Sequence, residues 1–426
     1  MNPKKIVNLA TKEEYFYMKH PLGLGIYVYP KKGYSSSYAI LGTNFGSINN
    51  KFKIKGQKSF TVVPNGIAHY LEHKLFASPQ GDAFELFSKT GASANAYTSF
   101  EKTAYLFSCT NNFEKSLSIL LDFVQSPYFT PENVEKERGI IGQEIKMYED
   151  SPEWKVFINL LDALYVNHPV KYDIAGSIES IAKITPELLY TCYNSFYNLH
   201  NMALCVVGNL EPDKTFEMID KQLKYCKPQE VERFFEIEPK NVAKPFIEQK
   251  FDIASSMFNL GFKENKKPNE VASTTELAYT DILMQYISSK ASPMYNDLLK
   301  NELINTSSFF NEYLEGPGYA SVIFSGESQK PEKAAELIRE HMNALHKNGL
   351  DEKAFERAKR AVYGQNIAMF NSISSIAGVL LDFDFAGREI FEYIETLSNA
   401  DINTANQMLS QKLLSENSSL SVVKPL

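Results

Sequence analysis

FEKSLSILLDFVQS, residues 113–126, and PEKAAELIREHMNA, residues 331–344, are the two stretches that decide the architecture. Both carry apolar residues at helical spacing, so each reads as an amphipathic helix with one buried stripe. Each is followed by a second helix, VEKERGIIGQEI from Val134 and FERAKRAVYGQNI from Phe355, with similar charge and apolar order. Further out, SSSYAILGTNFGS (35–47) and SSMFNLGFK (255–263) read as strands that precede the helices of each half. The same succession of a strand, a helix-rich stretch, a strand pair and two helices thus occurs twice, and a duplicated domain of about two hundred residues accounts for it. The expected fold class is α+β, with two homologous domains, each a mostly antiparallel sheet with helices packed on one face.

Between the halves, CKPQEVERFFEIEPKNVAKPF (226–246) is interrupted by Pro228, Pro239 and Pro245, which break any regular element. The expected boundaries are residues 1–228 for the first domain, 229–246 for the linker and 247–426 for the second domain.

Composition narrows the function classes. A chain of 426 residues exceeds what one core organises, and 44% hydrophobic with 22% charged residues is ordinary for a globular protein. A net charge of -7, with lysines scattered among acids, argues against nucleic acid as partner, because phosphate binding needs a basic stripe. The start, MNPKKIVNLATKEEYFY, has no apolar run after its lysines, and no later run approaches a membrane span. Neither a leader nor a membrane association is therefore expected. The cysteines, Cys109, Cys192, Cys205 and Cys226, form no CxxC pair and fit reduced thiols, so the expected location is cytoplasmic.

The chemistry sits in PNGIAHYLEHKLFAS, residues 64–78. His69 and His73 are four apart, so on a helix both imidazoles leave one face a turn apart, as two ligands of one metal ion must. Glu72, three residues after His69, can reach a metal-activated water without ligating. Neutral imidazoles suit a borderline-soft cation such as zinc, and a carboxylate is the group that takes a proton from water. H-x-x-E-H is the inverse of the H-E-x-x-H metalloprotease helix. A catalytic zinc needs a third protein ligand, and the helix from about Glu132 to Glu149 offers two candidates, Glu137 and Glu144, seven apart on one face. The matching stretch of the second half, TDILMQYISSK from Thr280, has no paired histidines, which confines metal ligands to the first half. His168 and His200 lie at element boundaries and read as structural; His341 and His346, five apart, leave different helix faces. No Gly-rich phosphate loop is present.

Four stretches together, HYLEH, GASANAYTSFEKTAYLF from Gly91, EKERGIIGQE from Glu135 and FYNLHNMALCVVGNL from Phe196, resemble the pitrilysin (insulinase) family of zinc metallopeptidases, the inverzincins. The likeness spans nearly the whole chain and is greatest to small bacterial members of two domains. It implies one Zn2+ per chain held by His69, His73 and Glu144, with Glu72 as catalytic base and Glu137 supporting the site. It also implies that an extended peptide substrate pairs with the strand edge at Asn95, Ala96 and Tyr97.

One departure bears on the partner. Self-sufficient members carry in their second half an Arg and, seven residues later, a Tyr; those positions align here with Leu299 and Thr306, while Lys300 and Tyr295 lie out of register. The resemblance thus implies a zinc-dependent endopeptidase subunit hydrolysing unfolded peptides beside a homologous chain that lacks the zinc motif, or as a homodimer. The alternatives are a non-catalytic assembly subunit and a peptide maturase tied to a modification pathway.

Overall fold

The computed structural model describes residues 3–79 and 81–426. It divides into two units. Unit 1 holds residues up to Ile145, Asp173–Phe234 and Ile367–Phe391; unit 2 holds Lys146–Tyr172, Phe235–Asn366 and Glu392–Leu426. The break at Phe234 falls inside the proline-interrupted stretch, while 146–172 and 367–391 are each grouped with the unit formed mainly by the other half of the chain.

Unit 1 is built on a seven-stranded sheet of β1 (Lys4–Val7), β2 (Glu14–Lys19), β3 (Gly25–Pro30), β4 (Ser37–Thr43), β5 (Ser93–Thr98), β6 (Thr103–Cys109) and β7 (Met202–Gly208). Their order is β1-β2-β3-β7-β4-β6-β5, antiparallel except for β3 with β7. Unit 2 has β8 (Phe246–Phe251), β9 (Met257–Lys263), β10 (Phe310–Gly316), β11 (Tyr319–Glu327) and β12 (Ser418–Pro425), in the order β8-β12-β9-β11-β10 and antiparallel except for β8 with β12. Without β1 and β2 the two orders are the same, which is the expected duplication seen in topology. The α+β class holds.

Side-chain alternation explains how the layers form. In β4, Ala39 and Leu41 join the core cluster that also contains Leu117, Leu120 and Leu121. These leucines belong to α2 (Phe113–Val124), which covers that face after α1 (Ile67–Leu75). Ile40 and Gly42 point to the other face. There the helix Ile373–Ala386 lies so close that a Cβ on Gly42 would stand 2.7 Å from Leu381 Cδ2. After α3 (Pro131–Glu149), unit 2 repeats the device with α4 (Pro152–Leu164), where a Cβ on Gly261 would stand 2.7 Å from Leu164 Cδ1. Each sheet therefore carries one helix on the face opposite its main helical layer, beyond the single-faced packing expected. Central strands such as β7 are buried along their whole length for this reason.

Among the described residues no single helix is long and apolar enough to cross a membrane. All four cysteines are free. His341 Nε2 pairs with Asp297 at 3.1 Å and His346 Nε2 faces the carbonyls of Leu409 and Lys412, so the two histidines serve separate structural contacts.

Candidate metal centre

The centre starts from the turn before α1. Gly66 precedes the helix with φ at +88°, and a Cβ there would meet Ala175 O at 2.3 Å, so only glycine allows the 173–177 loop to pack on this turn. At mid-helix the buried Tyr70 hydroxyl donates to Val134 O, tying α1 to α3. Residues 67–72 of α1 are all buried, which removes most rotamer freedom from the side chains that face α3.

His69, His73 and Glu144 bring one ligand atom each within 4.8 Å of one another, and among the described residues they form the one such cluster. His69 Nε2 lies 3.4 Å from Glu144 Oε1, and His73 Nε2 lies 3.4 Å from Glu144 Oε2. Ligands at about 2.0–2.1 Å from a tetrahedral ion stand about 3.3–3.4 Å from each other, and each histidine meets its own oxygen of Glu144 at such a distance. Two imidazoles and one carboxylate also match the donor set of a zinc site with a position left open. Glu137 accepts from His73 Nδ1 at 3.2 Å, which orients the ring so that Nε2 faces Glu144. Its other oxygen accepts from Lys74 Nζ at 3.1 Å.

Charge follows the same geometry. Burial disfavours a charged His73, but the carboxylates of Glu137 and Glu144 outweigh it and lift the metal-free imidazole to about 10. Hydrogen bonds from His69 and His73 hold the Glu144 carboxyl far below the usual range. Burial raises Glu137, yet His73 and Lys74 bring it below its ordinary value. Glu72 is raised by burial, only partly offset by the neighbouring histidines. Two acids of one site are thereby pushed apart: Glu144 is a strong anion fit to ligate, and Glu72 has the greater proton affinity that a base needs.

Strand β5 is the edge of its sheet, hydrogen-bonded only to β6. Asn95 is exposed on it, and Ala96 and Tyr97 are half-buried. Ala94 and Ala96 pack against the core, so Asn95 and Tyr97 face away from it. Thr98, absent from the expected site, continues the inward face, and its Oγ1 donates to Glu72 Oε2 at 2.7 Å. Thr103 stands 3.3 Å behind it. The signal for Thr98 was the period of two in NAYT, which sets it beside Ala96 and not beside Tyr97. Lys74 was likewise unforeseen, because nothing in HYLEHK distinguishes a buried lysine from a solvated one. In unit 2, Leu299 and Thr306 are exposed and Tyr295 is buried in the core.

Known proteins resemble this chain. Residues 61–177 match the profile of the insulinase family (peptidase family M16), and residues 183–362 match the peptidase M16 inactive domain. The Bacillus subtilis protein named uncharacterized zinc protease YmfH is 36% identical over 429 residues, covering 99% of each chain. The crystal structure of an M16-like peptidase from Alicyclobacillus acidocaldarius superposes with a TM-score of 0.91 at 30% identity, covering 100% of this chain and 99% of that one. Mitochondrial-processing peptidase subunit beta of Caenorhabditis elegans is 32% identical over 162 residues, 37% of this chain and 35% of its own. On identity and coverage alike, this chain belongs to the insulinase family, peptidase family M16.

Proposed function

We propose that the chain is a zinc-dependent endopeptidase subunit acting on unfolded peptides. The observation that carries this is the convergence of His69, His73 and Glu144, one ligand atom each within 4.8 Å of one another, beside a buried carboxylate, Glu72, that is not among them. One bound Zn2+ supplies Lewis acidity toward a peptide carbonyl and lowers the pKa of water. Glu72, held at Oε2 by Thr98, uses Oε1 to take the proton of the attacking water and passes it to the leaving amine. Glu137 holds His73 in the ligating tautomer. Asn95, Ala96 and Tyr97 offer an unpaired edge on β5 to which an extended peptide adds through its backbone.

The partner follows from what is missing. Leu299 and Thr306 cannot donate a hydrogen bond network to a developing oxyanion in the way an Arg and a Tyr can, so we infer a homologous partner chain that supplies them, or a second copy. Similarity to a protein named as a subunit of a processing peptidase supports this. Unpaired cysteines support a cytoplasmic location.

The test is zinc content with turnover. The wild-type chain should bind one zinc and, with its partner, cleave an unfolded peptide; Glu72→Gln should keep the zinc and lose the cleavage. A Glu72→Gln protein with near wild-type turnover would refute the assignment.

A further inference from the structure

Unit 2 contains a cavity of about 590 Å³, within the size range of small-ligand sites, and all of its lining residues belong to that unit. It is formed by the start of α4 and the adjoining ends of β9, β10 and β11. Part of the wall is aromatic. Trp154 and Phe157 have ring centroids 5.8 Å apart, and Phe310 is 57% exposed, an unusual exposure for so large an apolar side chain.

The same lining carries three carboxylates, Glu153, Glu312 and Glu327, and no lysine, arginine or histidine. Glu153 accepts from the Ser151 hydroxyl at 3.3 Å and Glu327 from Asn305 Nδ2 at 3.0 Å, both neutral donors. Burial holds the Glu312 carboxyl above its ordinary value, with no cation to offset it. Three carboxylates around one cavity with no basic side chain in its lining favour a cationic ligand by charge complementarity.

Phe310 and Glu312 are two apart on β10 and both exposed, so they share one face of the strand. An extended peptide has the same period. Residues two apart on it also share a face, at about 6.6–6.8 Å, and so match an apolar and an acidic group spaced by a strand. We propose that this cavity binds an extended peptide segment bearing a large apolar side chain and, two residues away, a lysine or arginine. The proposal deepens the peptidase reading, on which it rests for its ligand class, by naming the kind of segment selected.

Trp154 is the chain's single tryptophan, so its fluorescence reports this cavity directly. The full chain carrying Glu72→Gln is titrated with Ac-Ala-Phe-Ala-Arg-Ala-NH2, with the Glu-for-Arg peptide and with the Ala-for-Phe peptide. The first should change Trp154 emission saturably and bind at least about tenfold more tightly than the other two. Glu312→Gln with Glu327→Gln should abolish the preference for arginine, and among the described residues neither glutamate has an ion-pair partner, so the core is left intact. Phe310→Ala, at an exposed position, should abolish the preference for phenylalanine. Equal binding of the three peptides, an unchanged emission, or a preference that survives the variants overturns the proposal. Tight but charge-indifferent binding of the phenylalanine peptides would mark an apolar ligand site and overturn it too. Turnover by the wild-type chain together with its partner is read separately: peptide preference without any hydrolysis would sink the peptidase reading alone, and hydrolysis without preference would sink this site alone.

Discussion

Thr98 Oγ1 donates a 2.7 Å hydrogen bond to Oε2 of Glu72, from the last residue of an edge strand to the carboxylate of the motif helix. The bond fixes which oxygen of Glu72 is occupied and which is free. Thr98→Val keeps the shape and removes the donor, so kcat should fall about ten- to a hundredfold while KM and zinc content stay unchanged. Thr98→Ser should restore most of the rate. An equal loss in the serine and valine variants would mean that the methyl packing matters and the hydrogen bond does not.

The two helix glutamates should separate by zinc affinity. Glu144 faces both imidazoles, whereas Glu137 reaches only His73 Nδ1 and Lys74. Glu144→Gln should abolish stoichiometric zinc binding, and Glu137→Gln should weaken it by about ten- to a hundredfold in a chelator competition. Unaltered affinity in Glu144→Gln would remove it from the ligand set.

Zinc uptake should release a proton. In the metal-free chain His73 is raised to about 10, so near neutral pH its imidazole is protonated, while ligation needs the bare Nε2. The folded value lies above the unfolded one, so the imidazolium stabilises the metal-free chain fully below about pH 6.5 and loses that effect as pH rises through about 10. Zinc affinity should therefore rise by roughly tenfold per pH unit between about pH 7 and 9. Calorimetry in buffers of different ionisation enthalpy should count about one proton released per zinc at pH 7.5; a count of zero would contradict the Glu137 and Glu144 pairing of His73.

Much of this was legible in the sequence because helical spacing and duplication are local signals. FEKSLSILLDFVQS and PEKAAELIREHMNA fall on matching helices, and one helical turn sets His69 and His73 on one face, whereas the choice of Glu144 over Glu137 came from the family resemblance and not from spacing. The far-face helices were not legible. Their only trace was the Leu-Gly pair repeated in both strands, Leu41-Gly42 and Leu260-Gly261, where the missing Cβ admits a helix whose place in the chain no local pattern reveals. Thr98 and Lys74 escaped for a related reason. A threonine on a strand and a lysine on a helix look solvated until the tertiary fold brings Glu72 and Glu137 to them.

A buried histidine outside the centre gives unit 2 an acid sensitivity of its own. His168 is fully buried; its Nδ1 accepts from Val170 N, and its Nε2 donates to Pro317 O at 3.0 Å. A second proton would have to sit on Nδ1, against the Val170 N–H. Burial chiefly, against weaker support from the Pro317 carbonyl, lowers its pKa to about 4. Below about pH 6.5 the unfolded chain takes up the proton that the folded chain refuses, so stability is full above that value and declines as pH falls toward 4. The gap corresponds to about 3 kcal/mol when fully developed. Glu238, which accepts from the backbone N–H groups of Val166, Asn167 and His168, is lowered, so its own contribution is lost only in the ordinary carboxylate range and below. Urea unfolding followed by Trp154 emission, with chelator present, should therefore show the His168 contribution as midpoint lost between pH 7.5 and pH 5.0, read against a variant in which the opposite effect of His73 is the same. His168→Asn should be less stable at pH 7.5 and show a smaller difference between the two. A pH response of the midpoint that His168→Asn leaves unchanged would show that His168 accepts its proton inside the folded chain.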